Sequence, residues 1–195
     1  QTSAAFAPDG YPDGSTPEGF SIYARALVAV VHGHHLTEDD LAFPYFQKRM
    51  PDAPFDELAA QHQEMTGILE GMEAAVEAMA SEADPGAALV DLNREVKRLS
   101  DLWVRHIGVE EFHLSAEKAG ELLTVDEQIT PAQQFAQHSQ EHAKPDSLVV
   151  PFVLYNLEPA DRAVMEAAMP PIVTQQLVPV AWKEQWAPMK PFLLE

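Results

Sequence analysis

Two pairs of residues with the spacing His-x-x-x-Glu, His34/Glu38 and His106/Glu110, carry the chemistry that this chain can do. On a helix a spacing of four sets the imidazole and the carboxylate on one face, one turn apart. His62 adds a single imidazole from another segment, and His138 and His142 add two more at the same spacing of four. A lone core histidine is ordinarily a packing residue with satisfied ring nitrogens. Recurrence of the pair, with histidines on the other segments, points instead to a metal ligand set. The 195-residue chain has no cysteine, which removes thiolate zinc sites and iron–sulfur ligation. The remaining nitrogen and oxygen donors suit iron, manganese or zinc.

The elements that must position these residues are helices. Residues 1–17, dense in Pro, Gly, Ser and Asp, read as an irregular arm. Helical periodicity comes next, over about 18–48, 54–81 and 86–119, interrupted by "MPDAP" and "SEADPG". A shorter fourth helix is predicted over 131–143, opened by Thr130-Pro131 and closed before Lys144-Pro145. Each has an apolar seam at steps of three and four. It runs Val31-His34-Glu38-Leu41-Tyr45 in the first, Leu58-His62-Met65 in the second, Trp103-His106-Glu110-His113 in the third and Phe135-His138-His142 in the fourth. His and Glu thus stand where Leu or Met would otherwise sit, on faces that point inward in an up-down four-helix bundle. Measured from the connecting turns at about 1.5 Å per residue, these positions agree to within a few Å. All four helices would deliver polar side chains to one slab.

Two carboxylates buried in one layer cost several kcal/mol unless neutralised. Arg105 and Lys118 are near in sequence but off the seams. One or two divalent ions would neutralise Glu38 and Glu110, the carboxylates bridging and the histidines capping either end. Iron is favoured because such a set suits oxygen chemistry, with manganese or zinc less so. His32 and His35 lie off the seam, at an expected exposed or boundary position, His35 being the candidate for supporting a ligand from behind. His113, one turn beyond Glu110, is open to three readings: an additional ligand, a proton shuttle or a rim residue. Tyr45 reads as packing, and Asp39, Asp40 and Glu111 as solvated.

Composition limits the partners. Apolar residues make up 46% of the chain, ordinary for a globular protein, and the net charge of −19 disfavours nucleic acid and anionic membrane surfaces. No run of about 18 apolar residues is present to span a bilayer. The chain begins at Gln1; a cytoplasmic protein is expected, with an exported mature form left open. The domain plan is the arm, a metal-binding bundle over 18–143 and a proline-punctuated helical extension over 144–195. That extension reads as a cover packed on the bundle, or alternatively as a lid or an oligomer surface.

The stretches "HHLTEDDLAFP" (34–44), "AAQHQEM" (59–65) and "RHIGVEEFHL" (105–114) resemble the hemerythrin-like, HHE cation-binding, four-helix proteins. The resemblance covers about residues 20–143. It implies an all-α bundle around a non-haem di-iron centre, oxo- or hydroxo-bridged, that binds O2 or a related diatomic or peroxide ligand. Carriers, storage proteins and sensors belong to this family, as do enzymes that activate O2 or remove peroxide or nitric oxide. Its usual order opens with a lone-His helix, and this chain has no His before His32. Either "HSQEH" (138–142) takes that place, as in a circular permutation, or a helix precedes Gln1. On the first alternative the ligands are His34, Glu38, His62, His106, Glu110, His138 and His142. A ferritin-like bundle would want Glu-x-x-His on two helices, and only Glu110/His113 offers it. A metal-free helical interaction module is disfavoured by the buried carboxylates.

Overall fold

The computed structural model describes residues 17–80 and 85–194. The expected arm over 1–17 lies, apart from Pro17, outside them. Every regular element among the described residues is helical. Helix α1 is Pro17–Thr37, continued without a break by a π-helical turn, Glu38–Ala42, and α2, Phe43–Gln47. Helices α3 (Phe55–Ala80) and α4 (Pro85–Leu114) are the longest. Next come α5 (Ala116–Leu122), α6 (Val125–His142), α7 (Asp146–Tyr155) and α8 (Pro159–Ala168). A second π-helical stretch, Val173–Ala181, leads into short turns of helix over 183–192. The all-α bundle expected from the seams is what the chain forms.

Contacts gather the described residues into two compact units, one of 31–71 and 94–143, the other of 17–30, 72–80, 85–93 and 144–194. In the second unit Ala26 packs with Phe152, Leu154, Val178, Trp186, Met189 and Leu193. The Trp186 indole N–H donates to the Val178 carbonyl at 2.8 Å, which satisfies the polar edge of a buried ring. The proline-rich segment after 144 therefore has a core of its own making, shared with the first turns of α1.

The first unit holds both His-x-x-x-Glu pairs. Its apolar part is Phe43, Phe55 and Leu58, flanked by Phe46, Val109 and Leu114. Full burial of side chains of this size stabilises the fold by about 1.5–3 kcal/mol each. Gly33 on α1 lies against the end of α6, and a Cβ there would meet the Ala143 Cβ at 2.8 Å and its backbone nitrogen at 2.9 Å. Only glycine lets these two backbones approach so closely.

Element boundaries depart from the sequence expectation in two places. The third segment stops at Leu114, because Ser115 caps a new helix by accepting from the Lys118 amide at 3.3 Å. The fourth helix starts at Val125, six residues before Pro131, because Thr124 and Glu127 form a capping box. Pro131 then stands inside α6, where its missing N–H leaves the Glu127 carbonyl without its helical donor. Tyr45 supplies the replacement, its hydroxyl donating to that carbonyl at 2.7 Å. The tyrosine that read as packing is a hydrogen-bond donor matched to a proline 86 residues away in the sequence.

Two stability measurements test this packing. Tyr45→Phe is expected to cost about 1–3 kcal/mol in denaturant unfolding, the penalty for an orphaned acceptor. In a Pro131→Ala background the cost shrinks, since the alanine would return an N–H to the Glu127 carbonyl. Equal costs in the two backgrounds would refute the compensation. Gly33→Ala should destabilise by about 1–3 kcal/mol through overpacking against Ala143, and an unchanged unfolding midpoint would contradict that close approach.

Candidate metal centre

The π-helical turn governs the site. It opens at Glu38, where an added residue per turn rotates the residues after it relative to a regular α-helix. As a result both Glu38 and its neighbour Asp39 reach His62 on α3. Glu38 Oε2 lies 3.4 Å from the His62 Nε2, and Asp39 Oδ1 lies 2.8 Å from its Nδ1. The same rotation buries Ala42 and Phe43 in place of the expected Leu41 and Tyr45, which are half-buried. Phe43 stacks on one face of the His62 ring, 5.2 Å and 15° away, and His35 on the other, 4.2 Å and 22° away. His62 and His106 are 1% and 0% exposed.

Each of these two rings is turned by an acceptor behind it. The His62 Nδ1–H donates to Asp39, and the His106 Nδ1–H donates to Gln61 Oε1 at 3.0 Å. In the neutral tautomer that such bonds select, Nε2 carries the lone pair. The two Nε2 atoms face each other at 3.2 Å, flanked by Glu38 at 3.4 Å from His62 and by Glu110 at 3.4 Å from His106. Ring nitrogens and carboxylates thus converge on one point. Glu38 Oε2 has no hydrogen-bond partner, nor does His34 Nε2, although they are 3.2 Å apart. Donors held about 2.0–2.1 Å from one ion at tetrahedral angles stand about 3.3–3.4 Å from each other. Three spacings in the row Glu38–His62–His106–Glu110 are 3.2–3.4 Å, close to that separation, and the four donor atoms all lie within 4.8 Å of one another. By donor chemistry, orphaned atoms and spacing, the residues fit a divalent ion.

The electrostatics agree with that fit. Burial, reinforced by Glu110, pushes the Glu38 carboxyl above its ordinary range, despite the opposing histidines. Burial also acts upward on Glu110, but the hydrogen bond and charge of His106 outweigh it and hold that carboxyl below the usual value. His62 loses stability as a cation on burial, yet Glu38 and Asp39 more than compensate and raise its pKa. His35 is pushed down to about 2 by burial and by the histidines around it, so it is a neutral imidazole at any working pH.

The structure thus brings together His34, Glu38, His62, His106 and Glu110. Two groups of donor atoms lie within 4.8 Å of one another, Glu38/His62/His106/Glu110 and His34/His35/His106. His35 corrects the expectation of an exposed or boundary position. It is 4% exposed, because α1 is covered on two faces here, by α3 and α4 beside His34 and His35 and by the end of α6 beside Gly33. His138 and His142 lie outside both groups. His138 Nδ1 donates to the Thr37 hydroxyl at 3.1 Å, which in turn donates to the Gly33 carbonyl, and His138 Nε2 faces Asp40 at 3.2 Å. His142 is exposed, its ring 4.3 Å from that of His138. His113 is half-buried, edge-on to Phe112, and outside both groups. Asp39 and Asp40 are exposed, as expected, yet their carboxylates pair with His62 and His138.

Beside the carboxylates is a pocket of about 290 Å³ lined by Glu38, Ala42, Phe43, Phe46, Glu110, Glu111, Leu114 and Ser115. Gln61 and Asp39 are the functional partners that sequence reasoning missed. Gln61 serves a ring 45 residues away rather than its neighbour His62, and no spacing rule encodes such a cross-helix bond.

No match was found among curated proteins or among solved structures. The sequence model of the Hemerythrin HHE cation binding domain matches residues 4–117. That stretch contains both His-x-x-x-Glu pairs and His62, and it ends before His138. With more than half its length matched, and with a buried His–Glu cluster inside the match, the chain belongs to the hemerythrin HHE cation-binding family, an all-α metal-binding fold.

Proposed function

We propose that the chain is a non-haem di-iron protein that binds O2 or a related small molecule as a carrier, store or sensor. The observation that carries this reading is the pair of facing Nε2 atoms, 3.2 Å apart between two half-buried carboxylates. His34, His62 and His106 would offer nitrogen. Glu38, close to both His34 and His62, and Glu110, close to His106, would bridge. Bound iron would supply electrons and an open position for a diatomic ligand, which manganese or zinc in the same set would do less well. The chain's own part is to orient and to exclude water. Asp39 and Gln61 fix the rings, and Phe43, Phe46 and Leu114 give the adjoining pocket apolar walls. Such walls admit a small uncharged molecule, and a net charge of −19 repels anions.

One observation favours the second reading, a di-iron enzyme that activates O2 or removes peroxide or nitric oxide. The pocket of about 290 Å³ is several times the ~30 Å³ share of one water molecule, room enough for a substrate larger than a diatomic. His113, the proton source suggested by spacing, does not line it.

Metal analysis and absorption spectra under anaerobic and aerobic conditions separate these readings. The expected result is two iron ions per chain and a reversible spectral change with O2. Fewer than one ion per folded chain would sink the proposal, whereas irreversible oxidation or peroxide turnover would select the enzyme. Acidification should weaken metal binding. His62 holds its proton above the ordinary imidazole range and must release it, so affinity should fall from pH 8 to pH 6, by up to about tenfold per pH unit, and Glu38, whose carboxyl is also raised, adds to the loss on further acidification. A flat profile would argue against these two ligands. Asp39→Ala and Gln61→Ala should each weaken metal affinity about 10–100-fold with the fold retained, as read by competition with a chelator.

A further inference from the structure

We infer that His35 is a metal ligand, holding a second ion together with His34 where neither His138 nor His142 reaches. The inference rests on the di-metal reading above and deepens it. The shell of Glu38, His62, His106 and Glu110 uses the single free nitrogen of each imidazole, because Asp39 and Gln61 occupy the other. A second ion therefore needs further nitrogen donors. His34 and His35 are the unsatisfied ones: His34 Nε2 and both ring nitrogens of His35 are buried without a hydrogen-bond partner. Native structures very seldom leave such atoms unpaired, and a ring with neither nitrogen satisfied is a stronger anomaly than a single orphan. His35 also lies in a donor group with His34 and His106 whose atoms are all within 4.8 Å. The Glu38 Oε2, likewise unpartnered, is 3.2 Å from His34 Nε2.

The alternatives are otherwise engaged. His138 uses Nδ1 on Thr37 and Nε2 on Asp40, and His142 is exposed. A plain packing role for His35 must also be met, since its ring stacks on His62 at 4.2 Å. His35→Phe keeps the aromatic plate and the burial while removing both nitrogens, so it separates stacking from ligation.

The test is iron stoichiometry of purified full-length chain, with circular dichroism and thermal melts to establish folding. Wild type should hold two ions, His35→Phe one, and the double variant His138→Ala/His142→Ala two. Two ions retained by a folded His35→Phe would overturn the inference while leaving the di-metal reading intact. A single ion in wild type would overturn both. Should His35→Phe not fold, histidine-labelled wild type titrated with zinc and followed by 15N NMR decides the matter. The His35 ring signals should move with the second equivalent while those of His138 stay; an unmoved His35 would overturn the inference.

Discussion

The confrontation of two imidazole nitrogens, 3.2 Å apart and flanked by carboxylates, is the constraint around which the rest of this unit is arranged. Without an ion such a cluster must keep protons, on His62 and Glu38, whose pKa values are both raised, or rotate its rings away. Asp39 and Gln61 prevent that rotation by holding Nδ1 of each ring, and the plates of His35 and Phe43 on either face of His62 block its turning. The protein thus maintains a locally unfavourable arrangement whose natural relief is a cation. Such pre-organisation costs folding free energy that metal binding returns.

Departures from regular helix do the fine positioning. A straight α-helix through residues 34–46 would place Glu38 on the seam and turn Asp39 toward solvent. The π-helical turn instead brings consecutive residues to the same ring, one to each nitrogen. A proline in the middle of α6 is tolerated because Tyr45 donates to the carbonyl that Pro131 abandons. That bond also ties α6 to α2 near the carboxylate end of the site. Gly33, one turn before the C-terminal end of α1, performs the complementary task, the absence of a Cβ there letting Ala143 pack closely. Irregularities in three elements therefore serve one outcome, the placement of α1 side chains to within the few tenths of an ångström that ligation requires.

The segment after residue 144 has a separate physical logic. Its prolines forbid long helix, yet Phe152, Leu154, Val178, Trp186 and Met189 bury one another together with Ala26 of α1. The Val178 carbonyl accepts from the Trp186 indole N–H, so this buried ring also leaves no polar edge unsatisfied.

The helical class, the two His-x-x-x-Glu pairs and the meeting of His34, Glu38, His62, His106 and Glu110 at one depth were legible because they depend on local periodicity and on distance from turns. Both are properties of the chain alone. The features beyond reach depended on side chains distant in sequence. His35 read as a boundary residue because a seam assumes one buried face, and only the packing of α6 against Gly33 made α1 buried on two. The pairing of Asp39 with His62 went unread because the π-helical turn has no signature in the spacing. His138 read as a ligand by its place on a seam, whereas Thr37 and Asp40 engage both its nitrogens. Residue types and their period determined which chemistry this protein carries. The tertiary structure decided which nitrogen of each ring is free to perform it, because that choice is made by acceptors on other helices.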